Sequence, residues 1–234
     1  FNIGHFVEPW LKTEVDLACL KYVRQLALNR DTVHRAREEI SRAKTLAGRW
    51  HLATSVHLYT SGLSGMMHLC GPERLCLMVV ENPGLVQAYL EYDHGINMAT
   101  IELAGEGGID IVERNGFYET ADFYSPRMLD AFLGRLLKEE AEAAHAGRML
   151  AKYTVHTGVM PILDHLAALP FDAIFGIDIA FRNVSLEEVV RKLSGKCLWM
   201  GPSSTFHLWK GPDATRQAVR RVFEVVGKRG LVLS

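Results

Sequence analysis

The sequence predicts an α/β fold in which helices cover a parallel β-sheet. Two observations point to this class. From about residue 109 onward, short apolar runs alternate with amphipathic helical stretches, and polar residues stand where each apolar run ends. Because chemistry in such folds takes place at the carboxyl ends of the strands, these polar residues form one candidate site.

The N-terminal part of the chain is predicted to be mainly helical. Thr13 is a good N-cap, and Asp16 places negative charge in the first turn of a first helix, where the helix dipole favours it. Residues 32–47 have the pattern of a charged amphipathic helix. Pro83 stands at a favoured first helical position, so a long helix is expected over 83–106.

Six strands are predicted, and each of the last five precedes a helix or the end of the chain. A helix start is indicated at Ser125, which is followed by proline, and at Ser185, which forms a capping box with Glu188. Further helices are expected from about Pro161 and Pro212. Six strands suit an open doubly wound sheet, whereas a (β/α)8 barrel needs two more. The predicted strands are 51–59, 109–115, 149–156, 173–179, 197–202 and 230–234, and a Gly-rich turn with a short apolar helix is expected over 61–73.

Composition excludes several classes of protein. The 234 residues suffice for one large domain, and 26 Lys and Arg against 27 Asp and Glu indicate no nucleic-acid partner. No apolar run is long enough for a membrane span, and no signal peptide is evident. The four cysteines lack CxxC spacing and are expected to be reduced. We therefore expect a cytoplasmic enzyme or binding protein, and a start at Phe1 without Met suggests a fragment of a longer chain.

Five segments in order resemble the uroporphyrinogen decarboxylase superfamily. They are NPGLVQAYL (82–90), ETADFYSPRMLDAFLGRLLKE (119–139), VHTGVMPILDHLAAL (155–169), FDAIFGID (171–178) and VGKRGLVLS (226–234). This superfamily contains a haem-pathway decarboxylase and corrinoid- or thiol-dependent methyltransferases. The resemblance implies a TIM-type (β/α)8 barrel that lacks its first two strands here. It also implies one domain over 1–234, with a helical part at about 1–48 and βα units at about 49–234, and a homodimer.

Three residues are the candidates for catalysis. His156 ends a predicted strand, and a histidine there can bind a metal or act as a general acid or base, since its pKa lies near neutrality. Asp178 ends another strand, and Glu119 precedes the Ser125 helix and is expected at the mouth of the barrel. His156 and Glu119 are also the best candidate metal ligands. Because Gly158 replaces the cysteine of the methyltransferase His-x-Cys motif, zinc bound in that manner is not expected.

Further polar and aromatic residues are candidates for substrate contacts. Alternation along the second strand should place Glu113 and Asn115 on one face of the sheet and Arg114 on the other. The aromatic candidates are expected to line the mouth. The complete set is His57, Glu113, Asn115, Tyr118, Tyr124, Ser203 and His207.

The sequence leaves three functions open, of which the resemblance implies the first two. The first, favoured by the His-x-Gly sequence and by the Gly201–Pro202 turn, is methyl transfer involving a corrinoid, with a corrinoid protein as a partner. The second is decarboxylation of a porphyrinogen, which requires no cofactor. The third is a non-catalytic barrel that binds a tetrapyrrole or a protein. The substrate is expected to be a small molecule or a tetrapyrrole, and the cofactor a corrinoid or a metal such as zinc.

Overall fold

The computed structural model describes residues 8–27, 29–58 and 61–234. Within them, six parallel strands form one sheet, and all six predicted strands are confirmed, with shorter bounds than expected. The strands are β1 Ser55–Leu58, β2 Ile111–Asn115, β3 Leu150–Thr154, β4 Ala173–Phe175, β5 Cys197–Met200 and β6 Leu231–Leu233.

The strand order in the sheet follows the chain from β1 to β6. A doubly wound sheet would reverse its direction of winding at a switch point, whereas consecutive barrel strands lie side by side in chain order. The observed order is therefore consistent with a TIM-like barrel. The sheet has two strands fewer than a closed (β/α)8 barrel, and in the described chain β1 pairs only with β2 and β6 only with β5.

Helices precede the sheet and connect its strands. The long predicted helix over 83–106 is confirmed, and Asn82 caps it by accepting a hydrogen bond from the Leu85 amide. Ser125 and Ser185 cap the helices that they were predicted to begin. The helices are α1 Glu14–Ala27, α2 Arg30–Trp50, α3 Gly62–Cys70, α4 Pro72–Glu81, α5 Pro83–Glu106, α6 Pro126–Leu129, α7 Arg135–Ala146, α8 Leu163–Ala168, α9 Leu186–Lys192 and α10 Pro212–Val226.

Two helical segments differ from the prediction. The Ser125 helix is interrupted by a π-helical segment, Asp130–Gly134, which joins α6 to α7. Helix α4 was not predicted at its full length, because a single residue, Gly71, separates its start from the end of α3. Gly71 has a φ of 79°, which ends α3, and Pro72 begins α4 directly after it.

The two faces of the sheet have different environments, and alternation sorts the side chains as predicted. Arg114 and Tyr153 are buried on the face that the helices cover, where Arg114 reaches Glu140 of α7. Glu113 and Lys152 lie side by side on the opposite face, in register with His57. On this second face, called the open face, the His57 side chain is exposed, although Glu113 and Lys152 are buried.

No helix in the described ranges is long and apolar enough to cross a membrane. The four cysteines, Cys19, Cys70, Cys76 and Cys197, are free thiols, as predicted.

Candidate active site

A cavity of about 210 Å³ lies at the carboxyl ends of β3, β4 and β5. It brings together three predicted site residues: His156 follows β3, Asp178 follows β4 and Ser203 follows β5. The meeting of these side chains follows from the parallel sheet, since the carboxyl ends of neighbouring strands lie along one edge.

Asp178 is held in place by hydrogen bonds from neutral groups. The Ser203 hydroxyl donates to Asp178 Oδ2 at 2.9 Å, and the Ala180 amide donates to Oδ1 at 2.9 Å. The Asp178 amide donates to the His156 carbonyl oxygen at 3.1 Å, which ties the two strand ends together. The Ser203 amide donates in turn to His207 Nδ1 at 3.0 Å. Ser203 and His207 therefore orient Asp178 beside the cavity.

The imidazole of His156 packs between aromatic rings. Its ring centroid lies 4.0 Å from that of Phe117 and 6.1 Å from that of Phe175. Burial lowers the pKa of His156, and the Asp178 carboxylate partly opposes this shift. A neutral imidazole at neutral pH can accept a proton, and the carboxylate nearby would stabilise the resulting imidazolium.

Glu119 does not occupy the predicted position at the mouth. It is only 1% exposed and does not line the cavity. Its carboxylate accepts a hydrogen bond from the Tyr153 hydroxyl at 2.6 Å and faces Arg114 at 3.4 Å, on the helix-covered side of the sheet. Burial raises the pKa of Glu119, although the Arg114 charge opposes that shift. The expectation that Glu119 meets His156 and Asp178 is corrected, because loop packing directs this carboxylate inward.

A second polar cluster lies on the open face of the sheet. Glu113 Oε2 contacts Lys152 Nζ at 2.6 Å and His57 Nδ1 at 3.2 Å. The Lys152 ammonium also lies 3.9 Å from the centre of the Trp199 ring and 4.7 Å from that of Phe175. Sequence analysis named His57 and Glu113 but missed Lys152 and Trp199. Strand alternation in β3 was the available signal, because it places Lys152 on the face of Glu113.

The remaining predicted contacts differ in their accessibility. The Tyr124 side chain is buried at 2% exposure, so its predicted place at the mouth is wrong; its hydroxyl has no hydrogen-bond partner among the described residues. Tyr118 is partly buried and packs edge-on against Phe117. The Asn115 carboxamide oxygen accepts a hydrogen bond from the Phe117 amide at 3.2 Å, and so helps to shape the loop after β2.

The residues around His156 do not fit a zinc ion. Gly158, at the cysteine position of the methyltransferase motif, has a φ of 58°, and a Cβ there would lie 2.6 Å from the Asp122 amide nitrogen. Among the described residues, no group of three or more His, Cys, Asp and Glu side chains is placed to hold a metal. Glu119, the other metal candidate, is sequestered with Arg114. Among the described residues, neither His156 nor Glu119 therefore has the companion ligands that a zinc ion requires.

A solved structure with a similar fold indicates the fold class of this chain. No protein family matches the chain, and no curated protein matches it. Among solved structures, a methyltransferase from Methanosarcina mazei is similar, with a TM-score of 0.58 and 17% sequence identity. The match covers 74% of this chain and 50% of that one, so the chain spans about half the length of that methyltransferase. At this identity the likeness establishes a shared α/β fold.

Proposed function

We propose that this chain belongs to a methyltransferase of the uroporphyrinogen decarboxylase superfamily, in which a corrinoid donates the methyl group. The observation that carries the proposal is the cavity that holds His156 and Asp178 at the carboxyl ends of neighbouring strands. The fold shared with a methyltransferase and the superfamily-like segments of the sequence support the same reaction class.

The two cavity residues have distinct roles in this proposal. His156 accepts the proton that the methyl acceptor loses as its new bond to carbon forms. Asp178, held by Ser203, stabilises the imidazolium that results. A methylated corrinoid, presented by a corrinoid protein, is a substrate that supplies the methyl group and keeps the electron pair of the broken cobalt–carbon bond. The cavity, at about 210 Å³, suits the small acceptor, with the larger corrinoid across its mouth.

A visible-absorbance titration tests this function. The protein is titrated with methylcobalamin and, separately, with a porphyrin, and demethylation of the methylcobalamin is then followed with candidate small acceptors. We expect a spectral shift with the corrinoid that is lost in His156→Ala and retained in His34→Ala, a change at an exposed histidine of α2. A shift with the porphyrin alone would instead favour the decarboxylase. Corrinoid binding without any transfer would favour the non-catalytic barrel.

A further inference from the structure

The cavity beside β4 holds a carboxylate with no cationic Lys or Arg side chain among the described lining residues. Among the described residues that line it, Asp178 has the one carboxylate side chain, and none is a lysine or an arginine. The hydrogen-bond partners of Asp178 are a hydroxyl and a backbone amide, both of which are neutral. A carboxylate in a recessed site without a cation favours a ligand that brings positive charge.

The nearby histidine does not supply that charge. Burial lowers the pKa of His156, so the ring is neutral at neutral pH. The two positively charged side chains of the sheet are already paired elsewhere. Lys152 contacts Glu113 on the open face, and Arg114 contacts Glu140 beneath the helices. Among the described residues that line the cavity, no lysine or arginine therefore balances the Asp178 carboxylate.

The cavity is small, and one of its walls is apolar, while polar lining comes from Ser203, Ser204 and Ser234. Phe175, Ile177 and Met200 contribute apolar wall on the side of β4 and β5. Its volume is about 210 Å³. A ligand that fits must therefore be small, with apolar groups close to its charge.

We propose that this cavity binds a small organic cation of the alkylammonium class, with its nitrogen beside Asp178 and its alkyl groups against Phe175 and Met200. For the proposed methyl transfer, the substrate is a protonated amine of this class: its N–H proton passes to His156, and the nitrogen lone pair that this frees takes the methyl group. A quaternary ammonium has no such proton, so choline serves as a probe of binding alone. The claim that such an amine reacts rests on the proposed function, whereas the claim that it binds does not.

Calorimetric titration of the purified chain with three ligands of similar shape tests the binding. Choline is the cation, 3,3-dimethyl-1-butanol is its neutral isostere, and 3,3-dimethylbutanoate is an anion of similar size. Because opposite charges attract, we expect choline to bind about tenfold or more tightly than the neutral alcohol, and the anion to bind weakest. Equal affinity for choline and the alcohol would overturn the proposal, as would the absence of choline binding to folded protein.

The variant Asp178→Asn tests whether the charge is responsible. Asparagine keeps the shape of the side chain and an oxygen for the Ser203 hydroxyl, but it removes the charge. We expect choline affinity to fall to that of the alcohol, while Asp213→Asn on exposed α10 leaves it unchanged. A preference for choline that survives in folded Asp178→Asn would contradict the proposal. Cation binding without any methyl transfer would remove the proposed function and leave this inference standing.

Discussion

The hydroxyl of Tyr153 donates a 2.6 Å hydrogen bond to Glu119, and both side chains are shielded from water beneath the helices. Arg114 joins them at 3.4 Å and extends the network to Glu140 of α7 at 2.8 Å. Burial and the Glu119 charge together raise the pKa of Tyr153 well above its usual range. These interactions therefore connect the loop after β2 and helix α7 to the sheet. The Glu119 carboxylate is not part of the cavity lining.

Removing Arg114 should strongly destabilise the fold. Arg114→Met leaves Glu119 and Glu140 buried without their cation, and we expect a loss of about 3–5 kcal/mol in the free energy of unfolding, measured by urea denaturation. Arg37→Met is the matched control, because its pair with Glu106 is exposed, and it should cost less than about 1 kcal/mol. Similar losses in the two variants would show that the buried network contributes little.

Stability should depend on pH through His94. Burial lowers the pKa of His94, but hydrogen bonds and charge from Glu140 and Glu139 outweigh this effect and raise it above 6.5. A raised pKa in the folded state means that this stabilisation is fully present below about pH 6.5 and is lost as the pH rises through the folded pKa.

The variant His94→Gln isolates this contribution. We expect wild type to exceed it in unfolding free energy by about 1–2 kcal/mol near pH 6 and by less near pH 9. Chemical denaturation across this range measures the difference. A difference between the two proteins that does not change with pH would assign His94 a packing role alone.

The titration of His156 should respond to Asp178. Because burial lowers the pKa of His156 and the Asp178 carboxylate partly raises it, the midpoint in wild type should lie below 6.5. Asp178→Asn removes the opposing charge, so the midpoint should fall further. Histidine NMR resonances followed against pH give both values, and the exposed His34 serves as the internal reference. A midpoint that rises in the variant would contradict the arrangement of these two residues.

Gly158 should not tolerate a side chain. Its φ of 58° is unfavourable for other residues, and a Cβ would meet the Asp122 backbone nitrogen at 2.6 Å. We expect Gly158→Ala to cost about 1–3 kcal/mol, whereas Gly195→Ala, where a Cβ meets nothing within 4 Å, should be nearly neutral. Thermal unfolding compares the two. For the same reason, Gly158→Cys should not create a zinc site, which a zinc-binding titration can check.

The local structure could be predicted because its signals lie close together in the sequence. Short apolar runs identified the six strands, and Ser125, Ser185 and Pro83 marked helix starts through capping and a fixed φ, which act within one turn. Alternation correctly separated Glu113 from Arg114, because side chains along a strand point to opposite faces. Helix α4 was missed at its full length because Gly71 separates two helices with no loop between them.

The side on which Glu119 lies was decided by contacts between distant parts of the chain. Residues 116–124 have no periodic pattern, so their directions depend on where Arg114, Tyr153 and Ser64 meet them. The pairing of Glu113 with Lys152 likewise required the register of two strands, which is set by the whole sheet. Local chemistry in the sequence thus defines the elements and the residues at the strand ends. The three-dimensional packing selects which of these residues share a cavity, because proximity across the sheet depends on interactions far apart in the chain.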